Sequence, residues 1–540
     1  MPSEKIEATE SAHKFPLIIK QLLLGVSAAT DQEIVYADRV RHTYSEFARR
    51  IGRLANGLAN FGLRPGATVA VMDWDSHRYL ECYFAVPMMG GVLQTVNVRL
   101  SPEQILFTLE DAGPEILLVN RDFLPIVEKI RDRLSSVKAL ILLSDESGSV
   151  PDGFAVEYET LLAVSNERYP FPDLDEDTRA TVFHTTGTTG DPKGVCFSHR
   201  QLVLHTLTLL ALLGTSPGQG RFHRDDVYMP LTPMFHAHAW GFPYAATMAG
   251  VKQVYPGRYR PEVIGRLLAR EGVTISHCVP TILQMLLQSP DCESIDLSKW
   301  KVVVGGSALS TALASAALER GIDVFTGYGM SETCPVLALA RVDTRDLGPA
   351  DVAIRTKAGR PGLLVDMRVV GPDMRELPRD GKSVGEVVVR APWLVQGYLG
   401  RPDASEELWA GGWLHTQDVG SIDAKGYLQI TDRIKDVIKT GGEWVSSLEI
   451  EEIISQHPNV AEVAVVGVSD AVWGERPKAF VVPRTGRSVD AKEVRRHVMA
   501  HVEVGQISKY GVPDQVEIVD ALPRTSVGKL NKRSLRDRSF

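Results

Sequence analysis

Helix-period and strand-period segments alternate along the early part of the chain, and this alternation leaves few architectures open. Residues 44–61 carry apolar side chains at helical spacing, 67–72 form a short β-rich run, and 79–89 are helical again. Residues 92–97 read as a strand, 102–109 as a helix and 116–119 as a strand. Strands separated by helices cannot pair as hairpins and need crossovers, which predicts a largely parallel sheet covered on both faces. The alternation returns over 251–325, and no short-period repeat or low-complexity tract interrupts it.

A chain of 540 residues exceeds what one compact core organises, so two or more domains are expected. The texture changes near residue 434. Upstream, Gly411-Gly-Trp-Leu-His-Thr-Gln-Asp418 and Ala424-Lys-Gly426 punctuate short strands. Downstream, strands at 461–468, 479–482 and 515–519 and a helix at 491–501 make a small α+β unit. The expected fold class is α/β, with domains at 1–433 and 434–540.

A formal charge of −8 and a pI near 6.0 argue against a general nucleic-acid or anionic-membrane binder. The five cysteines are scattered and show no C-x-x-C spacing, which fits a reducing compartment and supports neither a disulfide framework nor a zinc site. The first ten residues are acidic and polar, without the apolar core of a signal peptide. The longest apolar stretch, 202–213, is too short to span a bilayer. A cytoplasmic protein without a transmembrane segment is expected.

The strongest local signal is Thr185-Thr-Gly-Thr-Thr-Gly-Asp-Pro-Lys-Gly194, which follows a strand expected at 180–183. Glycines and small hydroxyl residues let backbone N–H groups wrap a polyphosphate, and Lys193 adds a positive charge. An isolated Gly/Thr run reads more readily as a solvated turn, and it is the full ten-residue string that points to function. The string is not a Walker A loop, because Pro192 precedes Lys193 and Gly194 follows it, leaving no hydroxyl after the lysine.

Further strings follow in a fixed order: Pro233-Met-Phe-His236, Gly327-Tyr-Gly-Met-Ser-Glu-Thr333, Gly385-Glu-Val-Val-Val-Arg390 and Trp413-Leu-His-Thr-Gln-Asp418. Asp432-Arg-Ile-Lys-Asp-Val-Ile-Lys-Thr-Gly-Gly442 and Pro523-Arg-Thr-Ser-Val-Gly-Lys529 complete the series, with Asn97-Val-Arg-Leu-Ser101 similar upstream. Together these resemble the acyl-adenylate-forming enzymes: acyl-CoA synthetases, luciferases and peptide-synthetase adenylation domains. The string Pro-Met-Phe-His-x-x-x-Trp is most similar to the medium- and long-chain fatty acyl-CoA synthetases. The resemblance implies a large multilayered adenylation domain and a small mobile C-terminal domain.

It also implies roles. Thr185, Thr186, Gly187, Thr188, Thr189, Gly190 and Lys193 would hold the ATP phosphates, with Mg²⁺ on Thr188 and Glu332. Gly305, Gly306, Ser307, Ala308, Gly327, Tyr328, Gly329, Met330 and Ser331 would form the adenine slot. Asp418 and Arg433 would hold the ribose. Lys529 would stabilise the adenylation transition state, and Lys435 would be the hinge that removes it. Lys439, Gly441, Gly442 and Trp444 would then face the nucleotide and the pantetheine arm of CoA. His236, Trp240, Val279 and Gly305 would meet the acid, with Trp240 as a gate; Glu332, Thr188, His236 and Lys529 form the implied catalytic set. A homodimer is implied as well.

Each of these residues has a plainer reading: lone charges such as Glu332 and Arg433 are usually solvated, and Lys529 sits among other basic tail residues. His184, His199 and His238 are left as packing residues. Two departures stand out: Ser331 where threonine is usual, and Gln417 where glycine commonly precedes the ribose aspartate. The expected reaction is acid + ATP to acyl-AMP + pyrophosphate, then transfer to CoA. An acyl-AMP ligase with another acceptor, a luciferase-like oxygenase, a CoA ligase for an arylalkanoic, short branched or sulfur-containing acid, and an inactive adenylate-binding scaffold remain as alternatives.

Overall fold

The computed structural model describes residues 9–146, 148–185, 192–215, 220–343, 348, 351–440, 443–526 and 528–538, with backbone only at 27, 28 and 444. The predicted alternation is present. Helices Tyr44–Asn60, His77–Met88 and Pro102–Ala112 separate strands Thr68–Met72, Val92–Thr95 and Pro114–Asn120. Short hydroxyl side chains start these helices by accepting otherwise unpaired amides: Thr43 from Glu46, Ser76 from Tyr79, and Ser101 in a capping box with Gln104.

Among the described residues these strands lie in a seven-stranded sheet. Its order is Val156–Glu157, Ala139–Leu143, Pro114–Asn120, Thr68–Met72, Val92–Thr95, Arg179–His184 and Gly194–Ser198. It is parallel except for the last strand. A second, nine-stranded sheet has a parallel centre. Strands Asp323–Gly329, Lys301–Val304, Ile275–Cys278, Val227–Leu231 and Lys252–Tyr255 lie side by side, and the early strand Glu33–Tyr36 joins them. The sequence reading did not single out Glu33–Tyr36, which pairs with the distant Lys252–Tyr255 and not with a strand of the seven-stranded sheet.

One apolar core joins the two sheets, drawing on Val69, Leu117 and Phe183 from one and on Tyr36, Val303 and Phe325 from the other. Strand order reverses at Thr68–Met72 in one sheet and at Val227–Leu231 in the other, and crevices at the carboxyl ends of such strands are where open α/β sheets bind ligands. A four-stranded antiparallel sheet of Asp366–Val370, Gly385–Arg390, Leu414–Ile422 and Leu428–Arg433 follows. The last sheet begins with Ile438–Thr440 and carries Val460–Asp470, Gly474–Pro483 and Gln515–Ile518, with helices Ser447–Ser455 and Ala491–Glu503 on its own core. The fold is mixed α/β, with a large N-terminal domain and a smaller C-terminal domain.

Candidate active site

Four parallel strands of the large sheet end side by side, and the segments after them carry predicted site residues. After Leu231 come Pro233-Met-Phe-His236; after Cys278 comes Val279; after Val304 come Gly305-Gly-Ser-Ala308. The fourth strand, Asp323–Gly329, contains Tyr328, and Met330 and Ser331 follow it. The backbones here are close. A β-carbon on Gly305 would stand 2.7 Å from the Gly327 carbonyl oxygen and 3.0 Å from Trp240 Cη2, so only glycine fits.

Beyond His236 the chain turns the unusual way. Ala237, His238, Ala239, Trp240 and Gly241 all have positive φ, between 46° and 76°. Left-handed backbone costs an L-residue about 1 kcal/mol or more, so this turn persists because its surroundings impose it. His238 is 1% exposed and packs edge-on against Phe183 and Tyr83. His205 lies against Gly241, and the turn closes through amides of Ala239 and Gly241. It delivers the buried Trp240 ring to His277, centroids 5.0 Å apart, beside Phe242. Burial, with Lys529 and Arg99 nearby, pushes the His236 imidazole down to about 3, so the ring is neutral near pH 7.

Asp418 and Arg433 face each other in the antiparallel pair Leu414–Ile422 and Leu428–Arg433. Arg433 Nε donates to Asp418 Oδ1 at 3.1 Å, and the Tyr328 hydroxyl donates to Asp418 Oδ2 at 2.8 Å. The carboxylate is thus aimed by two elements and is 6% exposed. Gln417 adopts φ +59°, and its amide donates to Glu386 Oε1. Gln417 thus takes the left-handed backbone that glycine favours.

Glu332 is buried, and its Oε1 accepts from the Tyr398 hydroxyl at 2.7 Å. Lys193 Nζ lies 4.7 Å from the Tyr398 ring centroid, so Tyr398 links Lys193 to Glu332. Burial and the adjacent carboxylate hold that phenol well above its usual range. The sequence reading did not single out Tyr398. Thr185 closes the loop's base by donating its amide to the Lys193 carbonyl. Thr186, Gly187, Thr188, Thr189, Gly190, Gly441, Gly442 and the Trp444 side chain lie outside the described residues.

The C-terminal domain contributes Lys529 on a tight hairpin. The Thr525 amide donates to the Lys529 carbonyl at 2.7 Å, and the Lys529 amide to Thr525 Oγ1 at 3.2 Å. The Lys529 side chain passes over Gly306 and beside Val279. Loss of hydration, helped by Arg433, lowers its ammonium to about 8, against the opposing pull of Asp418 and Glu332. Ser526 of the same hairpin meets the N-terminal domain at Asn97 and Arg99. The exposed Lys435 follows Arg433 in a turn whose Asp436 pairs with Arg536, and Lys439 stands in the C-terminal sheet, its amide bonded to Glu475.

Among the residues left as packing, His184 pairs with Asp111 at 2.9 Å, and the His199 Nδ1 accepts the Ile19 amide. A cavity of about 680 Å³ lined by Asp226, Lys301, Asp323 and Arg355 opens instead at the amino ends of the large sheet, away from these residues.

Comparison with known proteins decides the family. Residues 26–399 match the AMP-binding enzyme family, and residues 449–529 match the AMP-binding enzyme C-terminal domain. The chain belongs to the AMP-binding enzyme family. This AMP-binding enzyme is an AMP-forming acid–thiol ligase, as the resemblance implied.

It is 39% identical over 503 residues to a long-chain-fatty-acid–CoA ligase of Thermus thermophilus, covering 92% of this chain and 90% of the relative. It is 38% identical over 499 residues to a 3-methylmercaptopropionyl-CoA ligase of Ruegeria pomeroyi, covering 91% and 90%. Among solved structures, ATP-bound MatB from Rhodopseudomonas palustris superposes with a TM-score of 0.84 at 28% identity, covering 97% of this chain and 99% of that one. The apo form of the same MatB gives 0.74 with the same identity and coverage. No described helix is long and apolar enough to cross a membrane.

Proposed function

We propose that this AMP-binding enzyme activates a medium- or long-chain fatty acid with ATP as an acyl adenylate and transfers the acyl group to CoA. The observation that carries the reading is the convergence of Lys529 from the C-terminal domain on Gly306, beside Val279, where the strand-end segments bearing His236 and Trp240 also meet. Fatty-acid CoA ligases among the relatives support the acid class; a methylmercaptopropionyl-CoA ligase at nearly equal identity keeps a short sulfur-containing acid as the second reading.

In this reading Tyr328 and the glycines at 305–306 and 327–329 take the adenine, and Asp418, oriented by Arg433, accepts the ribose hydroxyls. Lys193 and the loop from Thr185 neutralise the phosphates. Glu332 offers a buried carboxylate whose partner among the described residues is a neutral phenol, which fits a hard cation held mainly by phosphate oxygens. Bound there with Thr188, Mg²⁺ would supply charge neutralisation at the leaving pyrophosphate. The acid carboxylate attacks the α-phosphorus and pyrophosphate departs; protonated Lys529 stabilises the charge that builds on the α-phosphate and the incoming carboxylate. His236, neutral, donates a hydrogen bond beside them.

We further propose domains at 1–433 and 434–540, with rotation about Lys435 withdrawing Lys529 and presenting Lys439, Gly441, Gly442 and Trp444 to the thiol. Greater similarity to the ATP-bound than to the apo neighbour supports an adenylating arrangement here. A homodimer and a cytoplasmic site of action complete the proposal.

The test is pyrophosphate release from Mg²⁺-ATP over a panel of acids from propionate to palmitate, including methylmercaptopropionate and ferulate, with and without CoA. Thioester confirmed by mass on the C8–C16 acids is the expected result. Pyrophosphate without thioester would replace CoA as acceptor, and turnover confined to the short sulfur or aryl acids would replace the fatty acid.

A further inference from the structure

Domain rotation requires contacts strong enough to hold Lys529 over the site and weak enough to release it. The described hydrogen bonds of the Lys529 hairpin with the N-terminal domain centre on one residue, Ser526, which is gripped twice. Asn97 Nδ2 donates to Ser526 Oγ at 2.9 Å, and Arg99 Nη1 donates to the Ser526 carbonyl at 3.4 Å. Asn97 is 7% exposed, and its Oδ1 accepts the Arg99 amide at 3.1 Å, so its side-chain amide is held with the donor facing the hairpin.

Arg99 is anchored in turn. Its guanidinium lies 5.9 Å from the ring centroids of both Phe235 and Tyr259. The Tyr259 hydroxyl donates to Asp75 Oδ2, and Asp75 Oδ1 accepts the Met234 amide at 2.8 Å. One cation therefore bridges the segment that carries His236 and the hairpin that carries Lys529. Because the hairpin is closed by the Thr525–Lys529 and Gly528–Thr525 bonds, fixing Ser526 fixes Lys529 three residues on. The neighbouring Arg524–Glu462 ion pair, 2.7 Å, joins two residues of the C-terminal domain and travels with it.

We propose that Asn97 and Arg99 are positioning residues: a two-point latch on Ser526 that holds the Lys529 hairpin in the adenylating arrangement and lets go before thiol transfer. The latch rests on the adenylate-forming reading above. Its bonds are few and two of their three side-chain partners are neutral, so release needs no buried charge to be stranded.

The test uses Asn97→Ala, Arg99→Ala, Arg99→Lys and the Asn97/Arg99 double alanine variant of the full chain. Three quantities are read: tryptic nicking within 433–439 without ligands, single-turnover pyrophosphate formation with octanoate or palmitate, and acyl transfer to CoA from synthetic octanoyl adenylate. The latch predicts nicking at least threefold faster in the double variant and adenylation at least tenfold slower. Transfer from the preformed adenylate stays within twofold, and Arg99→Lys lies between wild type and Arg99→Ala. Equal losses in both half-reactions, or unchanged nicking and adenylation, overturn it. Arg99 is exposed, so Arg99→Ala carries the test should Asn97→Ala fail to fold. If wild type releases no pyrophosphate with any acid, the functional reading fails, while the nicking rates still decide the latch.

Discussion

Lys529 Cε lies 3.1 Å from the point where a β-carbon on Gly306 would stand, and Gly306 itself holds φ +80°. The glycine provides both the turn and the space through which the ammonium reaches the site. Gly306→Ala is expected to displace Lys529 and slow acid-dependent pyrophosphate formation at least tenfold. Lys529→Ala should lower it by about 10²–10³-fold, the range for removing one donor to a developing anion. Melting temperatures near wild type check that the fold survives, and a Lys529→Ala enzyme with near-normal rates would remove Lys529 from catalysis.

The lowered ammonium of Lys529 has a pH signature. Its value in the folded enzyme is about 8, below its ordinary 10.5, so the cation that the proposed adenylation uses is present below pH 8 and lost above it. The apparent kcat/KM for ATP in the adenylation half-reaction should therefore fall on the alkaline side of about pH 8, since that ratio reports the free enzyme. Lys529→Arg should remove this alkaline limb at a reduced rate, and a limb that persists in the arginine variant would assign it elsewhere. His236, neutral down to about pH 3, should contribute no limb between pH 5 and 7.

Trp240 touches the space above Gly305 with its six-membered ring. Trp240→Ala should shift the acid profile by two or more carbons or toward bulkier acids while changing the KM for ATP less than twofold. An unchanged profile across the panel would exclude Trp240 as a gate.

Gln417 holds a left-handed backbone with an exposed side chain. Gln417→Gly should keep or raise the melting temperature, because relief of strain offsets the greater freedom of glycine in the unfolded chain. Gln417→Val should destabilise by about 1–2 kcal/mol, since a β-branched residue at this φ is a true outlier. Thermal melts of the three proteins compare them directly.

The alternation of short β-rich runs and helical segments was enough to announce parallel sheets, because period and capping are local properties of the chain. Asp418 and Arg433 could be named from their strings, yet that they face each other is a matter of strand register, which no string carries. Tyr398 was missed because a tyrosine after a glycine has no signature of its own; only the fold brings it between Lys193 and Glu332. Asn97 and Ser526 are 429 positions apart, and their bond exists only once two domains are assembled. Nor does Ala-His-Ala-Trp announce left-handed backbone: those residues favour the opposite hand, and tertiary packing overrides them.

That left-handed turn also bears on how acid preference can be re-engineered. Four consecutive L-residues stay there only under pressure from His205, Tyr83, Phe183 and their neighbours. Transplanting residues 236–241 alone into another scaffold would let the segment relax to the common hand and swing the indole out of the pocket. If Trp240 gates the acid as proposed, the smallest portable specificity unit is the turn together with its aromatic collar, drawn from three distant parts of the chain.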